Sequence, residues 1–299
     1  MKSVTILMST YNGEAFLREQ LDSLLGQIGV SVQVLVRDDG SSDKTMEILS
    51  EYKNLGYIEV IQGSNIGWRK SFMELVYSAP DSDYYAFCDQ DDIWLPEKLS
   101  VAVEQLEHNS DSTPSLYGSN LYYYQSGEIK GKLNLNSNYT KQSSLIRTLT
   151  AGCTLVFNKQ LKDLMSQRRP SYIEAHDSWT FLVALFLGKV IYDDNAYIKY
   201  RQHDNNQIGA KRTFLEKLGR RIDTLKKTGK DHGKSDCAKE FLAQFHDMLS
   251  DEDRTIVEKV AYYRDSLSKR LALLLDNRYT TGKLSNDVIL KLKILTSTL

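Results

Sequence analysis

Val4-Thr5-Ile6-Leu7-Met8 running into Ser9-Thr10-Tyr11-Asn12-Gly13, and Val32-Gln33-Val34-Leu35-Val36 running into Arg37-Asp38-Asp39-Gly40-Ser41, decide the fold. Each is a short β-rich run that empties into a polar cluster. Between them Phe16, Leu17, Leu21, Leu24 and Leu25 recur at helical spacing, so the segment reads strand, helix, strand. Asn12 is placed to cap the first helix, and Ser41 or Ser42 followed by Asp43 to cap a second one through Ile48, Leu49 and Tyr52. The alternation continues with a strand at 58–61, a helix at 68–77 and a strand at 84–88. This regularity predicts an α/β fold whose mostly parallel central sheet carries helices on both faces.

Ligands of such sheets bind beyond the carboxyl ends of the strands. Three polar clusters occupy those positions: Ser9-Thr10-Tyr11-Asn12, Arg37-Asp38-Asp39-Gly40-Ser41 and Asp89-Gln90-Asp91-Asp92. Carboxylates that follow a buried strand need water or a cation to offset their charge. Mg²⁺ or Mn²⁺ suits a short acidic loop, because each takes oxygen ligands from one or two carboxylates and from substrate phosphates. Read alone, Asp89, Asp91 and Asp92 also fit a solvated turn before the helix that follows Pro96, and Asp38-Asp39-Gly40-Ser41-Ser42-Asp43 fits ordinary turn chemistry.

Beyond Pro96 the pattern loosens into strand-like 116–124 and 154–157, a helix at 179–187 and a strand at 190–192. From Thr213 onward it turns helical and charged, with Ile256, Val260, Tyr263, Leu267, Leu271 and Leu274 near one helical stripe, and a boundary falls near Gly209. A 41% hydrophobic content suits a packed core, and a net charge of −1 gives no overall attraction to nucleic acid. Cys88, Cys153 and Cys237 are odd in number and lack metal-ligand spacing, which predicts buried reduced thiols of a cytoplasmic protein. The longest uncharged apolar stretch, 178–188, is about half of the roughly 20 residues that a membrane span needs, and no secretory signal is visible.

The segments Ser9-Thr10-Tyr11-Asn12, Arg37-Asp38-Asp39-Gly40-Ser41-Ser42-Asp43 and Asp89-Gln90-Asp91-Asp92-Ile93-Trp94, in that order and spacing, resemble the inverting family-two glycosyltransferases of the Rossmann-like GT-A fold. The resemblance covers roughly residues 1–205. It implies a catalytic domain over 1–209, with a nucleotide-binding half at 1–95 and an acceptor half at 96–209, followed by a helical region at 210–299. It further implies a nucleotide site made by Thr10, Tyr11, Asn12, Glu14, Asp39, Asn65, Arg69, Lys70, Asp89 and Gln90. Asp89 lies nearer the ribose, and Arg69 and Lys70 reach toward phosphates.

Asp91 is then the direct ligand of Mn²⁺ or Mg²⁺, with His203 of Tyr200-Arg201-Gln202-His203 completing the metal shell or touching the diphosphate. Asp177 in Ala175-His176-Asp177-Ser178-Trp179 matches the general base at a helix start, His176 being the second candidate; simple helix capping is the alternative. Gly152, Cys153, His176 and Trp179 fall in the acceptor pocket. The anomeric configuration inverts, without a covalent intermediate.

Within the family, Arg-Asp-Asp-Gly-Ser, Asp-Gln-Asp-Asp-Ile-Trp, His-Asp-Ser-Trp and Tyr-Arg-Gln-His are most similar to bacterial rhamnosyltransferases of cell-wall or capsular polysaccharide. The implied donor is dTDP-L-rhamnose and the implied acceptor a polysaccharide or lipid-linked saccharide. Galactosyl or glucosyl transfer from a UDP-hexose stays open. A sugar nucleotidyltransferase and a non-catalytic nucleotide-sugar-binding protein are the rivals from other classes; the first usually carries a glycine-rich phosphate loop that Ser9-Thr10-Tyr11-Asn12-Gly13-Glu14 lacks. Residues 211–234 hold nine basic residues against three acidic ones. That run fits either peripheral contact with the inner face of the cell membrane or a solvated helical face, and the C-terminal helices offer a homodimer surface.

Overall fold

Runs of Val, Ile, Leu and aromatic residues that alternate with amphipathic segments bury most apolar surface by forming a sheet with helices against it. In the computed structural model, which describes residues 1–109, 112–133, 139–202 and 232–299, the chain forms two compact units. The first takes Met1–Ser137, Thr150–Arg168 and Ala175–His203; the second takes Asn138–Leu149, Arg169–Glu174 and Asp204–Leu299.

The first unit holds the sheet. Strands β1 (Ser3–Thr10), β2 (Ser31–Asp38), β3 (Ile58–Gln62) and β4 (Tyr84–Cys88) alternate with helices α1 (Leu17–Leu25), α2 (Thr45–Asn54) and α3 (Trp68–Ser78). The short β5 (Ile93–Trp94) and helix α4 (Lys98–Asn109) follow, then β6 (Ser115–Gln125), β7 (Glu128–Leu133), β8 (Val156–Asn158), β9 (Lys189–Arg201), and helices α6 (Lys159–Ser166) and α7 (His176–Leu187), whereas α5 (Lys141–Ser144) belongs to the second unit. The spatial order is β3-β2-β1-β4-β8-β6-β9-β5, with β7 beside β6. Every residue of β4 is buried, so both of its faces are covered.

The parallel pairing is confined to β3-β2-β1-β4 and to β6-β9; β8, β7 and β5 run antiparallel to their neighbours. The sequence pattern locates the first four strands within two residues at each end. It misses β5 and β7, which are short or exposed, and it ends the last strand at Tyr192, whereas β9 continues to Arg201. Register sets the site: Thr10 pairs with Asp38, Asp38 with Gln62, and Met8 with Cys88, so the polar segments after β1, β2 and β4 leave one edge together. Ala86 pairs with Val156 on antiparallel β8, which brings the residues just before β8 to that same edge. Ile93 pairs with Lys199, tying the acidic loop after β4 to the end of β9.

The two capping expectations are corrected. Phe16 stands at the N-cap of α1 and offers no side-chain cap, and Asn12 instead accepts from Ser42 N–H at 2.9 Å. Asp43 accepts from Thr45 N–H at 3.0 Å while Glu14 accepts from Lys44 N–H at 2.9 Å, so the start of α2 is held from two loops.

The second unit is helical: α5 with helices α8 (Gly233–Phe245), α9 (Asp251–Ala261), α10 (Leu267–Leu274) and α11 (Leu284–Leu295). Its core includes Phe241, Phe245, Val257, Val260 and Tyr263, and Lys141 reaches Asp253 at 2.7 Å. The single stripe expected over 256–274 is broken: Ser266 caps a new helix by accepting from Lys269 N–H at 3.2 Å, and Leu267 and Leu271 face outward while Ile256 and Val260 are buried.

Gly188, which ends α7, lies against β6's approach. A Cβ there would sit 1.9 Å from the Pro114 carbonyl oxygen, the atom that accepts from Lys189 N–H at 2.8 Å. Gly188→Ala is expected to cost about 3 kcal/mol, the upper range for overpacking, in urea unfolding of the purified protein; a variant within 0.5 kcal/mol, the spread of ordinary surface substitutions, would contradict this junction.

Candidate active site

Most of the polar side chains after β1 and β2 hold the loops to one another. Asp38, fully buried, accepts from Thr10 Oγ1 at 3.0 Å, from Gly40 N–H at 3.1 Å and from Ser41 N–H at 2.9 Å. Asp39, also buried, accepts from Arg37 Nη1 at 2.5 Å, Ile66 N–H at 2.9 Å and Gly67 N–H at 2.8 Å. The β3–α3 loop, which carries Asn65 and leads into Arg69 and Lys70 at the start of α3, therefore hangs on one ion pair. Arg37 strengthens the tie by donating to Ser71 Oγ at 3.1 Å and Ser64 C=O at 3.2 Å. Burial of both partners makes the pair costly to break from one side. Asn65 accepts from Gly67 N–H at 3.2 Å, Arg69 lies over the Trp68 ring at 5.2 Å, and Arg69 and Lys70 are exposed. Gln90 clamps the main chain of Tyr11, accepting from its N–H at 2.8 Å and donating to its carbonyl at 3.1 Å, which leaves the Tyr11 ring exposed.

The loop after β4 concentrates negative charge. Burial raises the carboxyl pKa of Asp89, and the charges of Asp91 and Asp177 push it further. Asp177 arrives from the first turn of α7, so electrostatics link the end of β4 to a residue almost ninety positions later. Asp92 is fully buried and its pKa is driven well up by burial and by Asp89 and Asp91. It accepts from Arg201 N–H at 3.2 Å and from the Cys153 thiol. Ligand atoms of Asp89, Asp92 and Cys153 lie within 4.8 Å of one another. Beneath them Lys98 is buried with its Nζ 3.5 Å from the Trp94 ring centroid, and burial lowers its pKa to about 8.

Arg201 fastens this loop from outside. Its Nε donates to the Asp91 carbonyl at 3.0 Å, its Nη2 to Glu19, and its guanidinium lies 4.7 Å from the Phe16 ring centroid. His203 lies outside the described residues. Arg37, Lys98 and Arg201 are site residues that the sequence pattern does not single out. For Arg37 the available signal was a cation directly before an Asp-Asp pair at a strand end; for Lys98, a lysine in the first turn of a buried helix.

Asp177 is nearly buried, and its Oδ2 accepts from Thr150 Oγ1 at 3.4 Å. Two residues expected at the acceptor pocket lie in the core instead. His176 stacks on Phe72 with centroids 3.9 Å apart, meets Phe87 edge-on at 4.6 Å and Trp68 at 5.7 Å, and Trp179 is fully buried. Among the described residues the His176 ring nitrogens make no hydrogen bond, and burial lowers its pKa to about 3. A neutral caged imidazole is ill suited to proton transfer with a substrate, which favours Asp177 over His176 as the base. Gly152 backs onto this cage: a Cβ would come 2.7 Å from His176 Nε2 and 3.5 Å from Asp177 Cβ. Cys153 is buried beside Asp92.

A parallel half-sheet whose strand ends gather a hydrogen-bonded Asp-Asp turn, an Asp-Gln-Asp-Asp loop and a carboxylate on an incoming helix is the arrangement that the resemblance to the GT-A transferases implied. Residues 5–164 match the Glycosyl transferase family 2 profile, and the chain belongs to that family; it is a glycosyltransferase that draws on a nucleotide sugar. It is 32% identical over 228 residues to the dTDP-rhamnosyl transferase RfbG of Shigella flexneri, spanning 71% of this chain and 77% of that protein. Among solved structures it is similar to S. aureus TarS in complex with UDP-GlcNAc, with TM-score 0.58, 17% identity, and 99% of this chain and 91% of that one covered. The mannosyltransferase PcManGT from Pyrobaculum calidifontis in complex with GDP-Man and Mn²⁺ gives TM-score 0.55, 14% identity, and coverage of 98% and 80%.

The His176 cage has a consequence for stability. The folded ring titrates near 3 and a free imidazole near 6.5, so the unfolded chain takes up this proton first, and stability is lost as pH falls from about 6.5. Between pH 7.5 and pH 5.5 the parent protein is expected to lose about 1 kcal/mol more than His176→Phe. Parallel urea titrations of the two proteins at both pH values check this, and identical pH slopes would refute it.

Proposed function

We propose that the protein is an inverting rhamnosyltransferase that moves L-rhamnose from dTDP-L-rhamnose onto a lipid-linked saccharide of a bacterial surface polysaccharide. The donor assignment is supported by the likeness to the Shigella dTDP-rhamnosyl transferase over most of both chains. A UDP-hexose is the competing donor.

The observation that carries the chemistry is the electrostatic coupling of Asp89 with Asp91 and with Asp177. Carboxylates forced together in a poorly solvated edge fit a divalent cation, because a cation removes the repulsion that otherwise raises their pKa values. Asp91 is the residue that would hold Mn²⁺ or Mg²⁺, with Asp89 beside it. When bound, the ion offsets the charge that develops on the departing nucleoside diphosphate.

The chain's own groups do the rest. Thr10, Tyr11 and the loop hung on Asp39 receive the base and ribose, and Arg69 and Lys70 face the phosphates. Asp177 takes the proton from the acceptor hydroxyl as that oxygen attacks the anomeric carbon from the side opposite the diphosphate. The Thr150 hydroxyl, 3.4 Å from its Oδ2, keeps that oxygen hydrogen-bonded and orients the carboxylate.

Asp177→Asn is expected to lower kcat by roughly 10²–10⁴-fold, the range for a general base, while leaving donor affinity near the parent value. Turnover assays with isothermal titration of the donor separate the two, and an equal loss in both would disqualify Asp177 as the base. In a panel of nucleotide sugars with and without Mn²⁺, dTDP-L-rhamnose is expected to raise the melting temperature most and to be the sugar transferred or hydrolysed. Asp91→Asn is expected to remove that metal-dependent turnover. Preference for a UDP-hexose would overturn the donor assignment and leave the metal and base roles standing.

A further inference from the structure

Helices α10 and α11 of the helical unit turn large aliphatic side chains to solvent. On α10 these are Leu267 and Leu271, with Leu275 immediately after it; on α11 they are Leu284, Val288, Leu292 and Leu295. The spacing is i, i+4, i+8 on each, with a further residue at i+11 on α11, so each helix carries one apolar stripe along its outer side. Leu284 is 86% exposed, Leu275 74% and Leu267 67%. The opposite sides, through Leu273, Ile289, Leu290 and Ile294, are buried, so neither stripe is a misplaced core. Seven aliphatic side chains on two consecutive helices exceed the scatter of single apolar residues that a soluble surface normally shows.

The charges around the stripes are mostly basic. Residues 265–299 contain six basic and three acidic residues. All three acids are engaged within the unit: Asp276 with Lys259 and Arg278 at 2.7 Å each, Asp265 with Lys269 at 3.0 Å, and Asp287 with Thr280 Oγ1 at 2.7 Å and Thr281 Oγ1 at 2.7 Å. Lys283 and Lys291 are exposed beside the α11 stripe. A two-fold dimer through this face would set it against itself, lysines toward lysines with no carboxylate to answer them. A surface of anionic phosphates above an apolar layer answers both features at once.

We propose that the α10–α11 face docks on an anionic lipid bilayer, its leucines entering the boundary between headgroups and acyl chains and Lys283 and Lys291 meeting lipid phosphates. The proposal uses none of the basic run at 211–234, most of which lies outside the described residues, and it requires no particular donor.

The test is cosedimentation of the full chain, without substrate, with vesicles of phosphatidylcholine alone or of phosphatidylcholine mixed with phosphatidylglycerol. Binding to the phosphatidylglycerol vesicles is expected to be at least tenfold tighter. A Leu275→Asp, Leu284→Asp double variant is expected to lose at least tenfold of that binding. Lys283→Glu with Lys291→Glu should lose at least tenfold on anionic vesicles only, at about fivefold per basic residue. Circular dichroism and nucleotide-sugar hydrolysis of both variants should match the parent. Failure of the parent to sediment with anionic vesicles, or unchanged binding by the leucine variant, would overturn the proposal. A dimer in analytical ultracentrifugation that the leucine variant splits, with vesicle binding intact, would assign the face to a second copy.

Discussion

Negative charge held close together at the end of β4 is the constraint that organises this protein. Asp89, Asp91 and Asp92 leave a fully buried strand within four residues, and Asp177 is brought to them from α7. Like charges in poor solvent disfavour their own ionised forms, so the fold must supply reasons for them to stay. Around Asp92 those reasons are visible: the Arg201 N–H, the Cys153 thiol and a buried lysine ammonium below. Arg201 also holds the Asp91 main chain. The mutual repulsion of Asp89 with Asp91 and Asp177 is the part we assign to ligand chemistry.

The rest of the edge is prepared in advance. Asp38 and Asp39 spend their hydrogen-bonding capacity largely on protein N–H and O–H groups, and this fixes the β2–α2 turn and the β3–α3 loop relative to β1. Asn12, Glu14, Ser41 and Asp43 stitch the first loop to the second. Such cross-ties order the loops before any ligand arrives, which cuts the entropic cost of binding. Charge handling and loop ordering are thus two sides of one arrangement: a site that stores repulsion needs a rigid frame.

Much of this was readable in the sequence because strand ends in a parallel sheet are local features. The runs ending in Thr10, Asp38 and Cys88 announced both the strands and the edge where the polar residues gather. Resemblance supplied Asp177, which no local pattern distinguishes from a helix cap. The antiparallel β5 and β7 were harder, since two-residue and exposed strands carry little periodicity. The inward placement of His176 and Trp179 was invisible because it depends on Phe72, Phe87 and Trp68 arriving from other elements. Arg201 escaped for the same reason: its partners Glu19, Phe16 and Asp91 lie more than a hundred residues away. The break between α9 and α10 turned on Ser266, a single capping residue inside an apparently continuous stripe.

The central claim, that these carboxylates gather to receive a cation-bound diphosphate, is tested most directly by a crystal structure of the protein grown with dTDP and Mn²⁺. The account predicts the metal on Asp91 beside Asp89, the base near Thr10 and the Asp39 loop, and the Asp177 carboxylate facing the space beyond the β-phosphate. Nucleotide density elsewhere, or a metal that leaves Asp91 untouched, would contradict it.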